Sequence, residues 1–247
     1  MMSVAYHQIG RVCEEIDNFK EAEKAYRQAL AISIKIKNKN GEASSLNQLG
    51  NIYNQYGYLE DAVTFYRQAC DIDLELNDLR NEGKDRSNLA NTLINLKRYD
   101  DAWDEIKRAI ECKSSFDHAA TIWNVYDILY NLEIATGNTK AAEQAWKKAF
   151  TAYLNCRKDG GYGQTNSAQI VEMFRRGIKQ ENSSELETMF EQVSNMDLTE
   201  NKKLLFSKLK LVLDGNRDIS LAMDYGLNYQ DAVELHLLLE WLVEKGL

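Results

Sequence analysis

Four stretches of the chain repeat one another at a fixed step of forty residues, and a period of that length narrows the fold more than any other property of the sequence. Gly10, Gly50, Ala90 and Tyr130 stand forty apart, preceded by Ile9, Leu49, Leu89 and Leu129. Ala22, Ala62, Ala102 and Ala142 keep the same step, as do Ala29, Ala69, Ala109 and Ala149. Between the two alanines of each copy lies one bulky side chain: Tyr26, Tyr66, Ile106 or Trp146. Ala62, Phe65, Tyr66 and Ala69 fall at i, i+3, i+4 and i+7, one face of a helix. Small residues let two helices approach and the bulky one fills the space beside them, so each copy reads as a helix-turn-helix hairpin. A lone hairpin has nothing to bury its apolar faces against. Neighbours must therefore stack, giving a quasi-one-dimensional array.

The pattern Leu49-Gly50-x-x-Tyr53, then Ala62, Tyr66 and Ala69, resembles the tetratricopeptide repeat (TPR), in the longer spacing found in kinesin light chains and spindle-orientation adaptors. The lead-in runs Gly41-Glu42-Ala43 and Glu82-Gly83-Lys84 are similar to those long repeats as well. The resemblance covers about residues 3 to 158. It departs at Tyr130, where a small residue is usual, at Cys13, Leu93 and Glu133, where tyrosine is usual, and in having no closing proline. What it implies is an all-α, right-handed α-solenoid of four TPR hairpins, with the first helix of each pair lining a concave groove that takes a peptide or partner protein.

Composition agrees with an all-helical chain. There is no proline in 247 residues, and 44% hydrophobic with 28% charged residues is ordinary for a soluble protein. The net charge of −8 opposes binding to nucleic acid or anionic lipid, and neither part is basic: residues 164–247 hold 9 Lys/Arg against 14 Asp/Glu, the rest 21 against 24. No apolar run is long enough to span a membrane, and Met1-Met2-Ser3-Val4-Ala5-Tyr6-His7 lacks the features of a signal peptide, so a cytoplasmic location is expected.

Along the chain the hairpins read as about 3–40, 42–78, 81–115 and 116–157, making a solenoid over 1–158. Their helices are expected at Val4–Ile16 and Phe19–Lys37, Glu42–Tyr56 and Leu59–Asn77, Asn81–Leu96 and Tyr99–Ser114, Phe116–Thr136 and Thr139–Arg157. The first copy starts almost at Met1 with no cap before it; either it caps itself or an upstream part is missing. A glycine-rich linker, 159–163, then breaks the period. Residues 164–247 read as an irregular helical cap, with helices at about 164–180, 184–195, 199–213, 217–225 and 228–245 and breaks at Asn182-Ser183-Ser184, Asp197, Asp214-Gly215-Asn216 and Gly226. Leu204, Leu205, Leu209, Val212, Leu235, Leu238, Leu239 and Leu242 supply its apolar faces.

Groove residues follow by register. Arg11, Asn51, Asn91 and Asn131 come just after the Gly/Ala site; His7, Asn47, Ser87 and Asp127 lie one turn earlier, Glu14, Asn54, Ile94 and Ile134 one turn later. Three asparagines in forty-residue register form a ladder whose donors and acceptors suit the main chain of an extended peptide. Arg11, Lys84 and Arg86 are candidates to receive its acidic side chains, although charges at helix ends are more often simply solvated.

No catalytic constellation is visible. His7, His118 and His236 are scattered, and none pairs by spacing with a nucleophile and an orienting acid. Cys13, Cys70, Cys112 and Cys156 lack metal-ligand spacing and read as buried small hydrophobes. No cofactor or metal is expected, and Gly160-Gly161-Tyr162-Gly163 lacks the spacing of a phosphate cradle. Tyr53, Tyr56, Tyr58, Tyr66, Trp103, Trp123 and Trp146 read as core packing rather than a stacking platform for nucleic acid. The sequence thus points to a non-catalytic interaction scaffold. A second expectation is the sensor portion of a larger signalling ATPase, protease or transcription regulator.

Overall fold

A computed structural model describes residues 2–116, 121–161, 165–179, 186, 188, 190 and 198–247. Among them the regular secondary structure is helical throughout: α1 (Met2–Glu15), α2 (Phe19–Lys35), α3 (Lys39–Gln55), α4 (Leu59–Glu75), α5 (Leu79–Asn95), α6 (Tyr99–Ser114), α7 (Ile122–Ala135), α8 (Thr139–Lys158), α9 (Asn166–Lys179), α10 (Glu200–Leu213), a 3-10 turn at Ile219–Met223, and α11 (Tyr229–Lys245). Two compact units divide the chain, Met1–Ala142 and Glu143–Leu247.

In the first unit the forty-residue period resolves into twenty-residue modules, a helix of up to 17 residues and a short turn. Asp17, Lys37, Gly57, Asn77, Lys97 and Gly137, each twenty or forty residues on, all have positive φ, between 54° and 82°. The next residue sends its N–H back to the carbonyl five positions earlier: Asn18 to Cys13, Asn38 to Ser33, Tyr58 to Tyr53, Asp78 to Asp73, Arg98 to Leu93 and Asn138 to Glu133. That six-residue closure satisfies a carbonyl the ending helix would leave open. The same residue then starts the next helix. Asn18, Asn38 and Asp78 accept the N–H of Glu21, Gly41 and Asn81 through their side chains, so one position both ends a helix and caps its successor.

From α2 to α7, each helix packs on the one before it. Within a hairpin the contact is a small residue against a ring. A Cβ built on Gly10 would lie 2.6 Å from Cε1 of Tyr26, and one on Gly50 2.6 Å from Cε1 of Tyr66. In the third copy, where Ala90 replaces the glycine, Ile106 replaces the ring. Between hairpins, Leu49 and Ile52 of α3 close over Ala22 and Tyr26 of α2. The four alanines in register with Ala22, and the four with Ala29, are all buried.

Several boundaries differ from those expected. Helix α3 begins at Lys39 rather than Glu42, because Asn38 is the cap; Gly41 sits in the first turn, where a Cβ would meet Ser33 Oγ at 2.7 Å. Helix α7 begins at Ile122 rather than Phe116, after Thr121 in a left-handed conformation. The stretch 217–225 holds a 3-10 turn in place of an α-helix, started by Asp218 accepting from Ser220 N–H. The helix expected over 184–195, the breaks at Asn182, Ser183, Ser184 and Asp197, and Tyr162 and Gly163 of the linker fall largely or wholly outside the described residues.

In the second unit, Trp146 of α8 donates its indole N–H to Leu227 O at 2.9 Å, stacks on Phe150 and meets the edge of Tyr225. Leu205, Leu209 and Val212 of α10 and Leu235, Leu238, Leu239 and Leu242 of α11 are fully buried. Two buried carboxylates are paired: Glu234 with Arg157 at 2.6 and 3.0 Å, and Asp231 with Lys202 at 2.6 Å and Asn228 at 2.7 Å. Unpaired, each would carry a large desolvation cost.

The glycine–ring contacts are directly testable. Gly50→Ala gains about 1 kcal/mol of helix propensity but forces a methyl into the Tyr66 ring, so a net loss of about 1–2 kcal/mol is expected in thermal melts. Adding Tyr66→Ile, the pairing of the third copy, should recover part of that loss; a double variant less stable than Gly50→Ala would contradict the contact.

Candidate interaction surface

The first helices of the hairpins, α1, α3, α5 and α7, carry the register positions read from the sequence, and the structure sorts these residues into two groups. One group is committed internally. Asn47 is buried and donates from Nδ2 to Asp85 Oδ1 at 2.6 Å; Ser87 is buried and donates to Gly83 O at 2.6 Å. Asn54, half-buried, accepts from Thr92 Oγ1 at 3.1 Å. Asn51, also half-buried, accepts from Tyr66 OH at 2.8 Å and donates to Gln48 Oε1 at 3.1 Å. The cause lies one residue away: Gly50 admits the Tyr66 ring against α3, and the hydroxyl then lands on Asn51.

The other group is open to solvent. Arg11, Lys84, Asn91 and Asn131 are exposed, and the side chains of Asn91 and Asn131 make no hydrogen bond among the described residues. Lys84 Nζ lies 3.6 Å from Asp85 Oδ1. Asp127 is half-buried, and burial lifts its carboxyl to about 6. His7 lies 3.0 Å from Ser45 Oγ and against the Tyr26 ring, and burial lowers its pKa. His118 lies outside the described residues.

Two expectations are corrected. Arg86 is not available to an acidic ligand: it donates to Glu82 Oε1 at 2.8 Å and to Glu105 Oε2 at 2.5 Å. Glu82 is fully buried, and against that burial Arg108 and Arg86 hold its carboxyl below the usual range. Nor are all the aromatics core residues. Tyr66, Trp123 and Trp146 are buried, but Tyr56, Tyr58 and Trp103 are exposed. Tyr56 and Tyr58 join Phe19 and Tyr53 in a surface cluster with ring centroids 4.6 to 5.8 Å apart.

Two features were not anticipated. A cleft of about 640 Å³ opens between α1, α2 and α3, walled by Met2, Val4, Ile32 and Ile36 with His7 at its side. Between α4 and α5 lies a carboxyl pair. Asp85 is buried, and desolvation lifts its carboxyl to about 7 against the attraction of Lys84, with Asp73 adding to the rise. Asp73 is lifted to about 6, first by burial and then by Asp78. Its Oδ2 is buried and meets no hydrogen-bond partner among the described residues, while the interaction of the two carboxyls raises Asp85 and lowers Asp73. The two aspartates lie on different hairpins and outside the aligned groove positions, so reading each copy alone does not bring them together.

Among the described residues no three His, Cys, Asp or Glu side chains are grouped to hold a metal, and no helix is long and apolar enough to cross a membrane. Burial raises the Cys70, Cys112 and Cys156 thiols, Cys112 to about 11, the opposite of what a reactive thiolate needs.

Residues 1–75 match the family model described as Tetratricopeptide repeat. No curated protein matches the sequence. Among solved structures, the chain is similar to BtubC (BKLC) of P. vanneervenii, at 18% identity and TM-score 0.60, over 87% of this chain and 83% of that one. It is also similar to a kinesin light chain-like protein of Podosopora anserina with nearly identical TPR-like repeats, at 15% identity and TM-score 0.53, over 77% of this chain and 92% of that one. A third is Rap protein complexed with Competence and Sporulation Factor, at 16% identity and TM-score 0.55, over 98% of this chain and 64% of that one. At these identities the likeness is one of fold.

The carboxyl pair gives a pH dependence of defined sign. Both groups hold a proton more tightly folded than unfolded, where an aspartate titrates near 3.8. Their contribution to stability is therefore greatest below about pH 4 and falls as pH rises toward 7. Asp85→Asn keeps the acceptor for Asn47 and gives Asp73 a permanent donor without a charge. Its melting temperature should exceed wild type by a few degrees at about pH 8, with the gap closing by about pH 5. A gap of the same size at both pH values would contradict the assignment.

Proposed function

Because residues 1–75 match the tetratricopeptide-repeat family model and the hairpins after them keep the same period, we propose that the chain is a non-catalytic scaffold that holds a protein or an extended peptide across the first helices of its hairpins. The observation that carries this reading is the pair Asn91 and Asn131, one repeat apart, both exposed, their carboxamides making no hydrogen bond among the described residues. First helices of adjacent hairpins stand roughly 10 Å apart, about three residues of extended chain, so successive carboxamides fall in step with a peptide backbone. Arg11 and Lys84 add positive charge for acidic side chains. Asn51 and Asn54, already bonded within the fold, shape the floor of this surface rather than grip a ligand. Asn47 and Ser87 brace the helices from within. The complex of Rap protein with Competence and Sporulation Factor supports the reading, since a protein of similar fold forms a complex with a factor.

A peptide selected on the wild-type chain from a displayed random library should bind the double variant Asn91→Ala, Asn131→Ala roughly tenfold more weakly in calorimetric titration, two hydrogen bonds of about 0.5–1.5 kcal/mol having been removed. Helicity and melting should hardly change, as the positions are exposed. Unchanged affinity in a folded double variant would place the ligand elsewhere.

A further inference from the structure

Helix α1, with Ile16 just past its end, carries an apolar stripe that the fold leaves open. Met2, Ala5, Ile9, Val12 and Ile16 follow one another at alternating steps of three and four, the spacing of a coiled-coil seam, and all five are exposed. In the later hairpins the same register is covered by the hairpin before. Ile9 is 50% exposed, whereas Leu49, Leu89 and Leu129 are 0, 1 and 8% exposed; Val12 is 56% exposed, whereas Ile52, Thr92 and Leu132 are all at 0%. The face of α1 is thus half of a hairpin–hairpin interface, of the kind that α3 completes by closing on Ala22 and Tyr26.

We propose that a second copy of this chain covers it, the two α1 helices packing antiparallel about a two-fold axis between Gly10 and Arg11. An isologous contact of this kind must be self-complementary, and the stripe is. Antiparallel seams pair alternate positions, which sets Ile9 against Val12 of the second copy twice, and Ala5 against Ile16 of the second copy twice. Small therefore meets large in both outer layers. At the flanks Gln8 faces Glu15 of the second copy, an amide beside a carboxylate, and Tyr6 faces Cys13, so no like charges are brought together. The other surface that fits this register, a second helix of the Ala22–Tyr26–Ala29 type, is buried in α2, α4, α6 and α8, so a second copy offers α1 itself.

Analytical ultracentrifugation of the full chain over a concentration series tests this. Wild type should pass from 28.4 kDa to twice that mass between submicromolar and tens of micromolar concentration. Ile9→Lys should raise the dissociation constant roughly a hundredfold, because each copy would bury an unpaired charge, with helicity unchanged. Ala5→Ile should weaken the dimer and Ala5→Ile with Ile16→Ala should restore it, since the exchange keeps each layer's volume. A wild-type chain that stays at 28.4 kDa overturns the proposal. Self-association untouched by Ile9→Lys overturns it equally.

Discussion

Every hairpin in the array has apolar stripes that must be covered by a neighbour, and the arrangement of the first unit follows from that constraint. Leu49 and Ile52 need Ala22 and Tyr26 beneath them, and Tyr26 needs Gly10 beside it. Remove the glycine and the ring has no seat; remove the ring and the next hairpin loses its platform. The cohesion of such a chain is local, a series of nearest-neighbour contacts rather than one central core. The open stripe on α1 is the same constraint seen where this chain does not satisfy it.

The contact that seats the ring also shapes the candidate site. Tyr66, brought close by Gly50, delivers its hydroxyl to Asn51, and Asn47 reaches across to Asp85 on the next hairpin. Groove residues nearest the packing contact are thereby recruited to the interior. The carboxamides left without an internal partner lie farther along the array, at Asn91, where Ala90 and Ile106 carry no hydroxyl, and at Asn131.

The hairpins could be read from the sequence because packing fixes small residues in register, and fixed spacing survives in one sequence. The twenty-residue submodule could have been read too, from Asn18, Asn38, Asp78 and Asn138, but its left-handed positions hold Asp17, Lys37, Asn77 and Lys97 instead of glycine, which hides them. Internal polar pairings were not legible. Asn47–Asp85 and Arg86–Glu105 join helices whose relative position only the stacked structure provides, so equivalent residues on successive helices looked equally free to meet a ligand. The stretch 217–225 was misread because its period is too short to distinguish a 3-10 turn from an α-helix.

The claim that cohesion is local is tested most directly by native-state hydrogen exchange on wild type and Ala62→Leu, a substitution that overpacks the interior beside Tyr66. The account predicts lost protection in α3 and α4, smaller losses in α2 and α5, and none in α7. An equal loss of protection from α1 through α7 would contradict it.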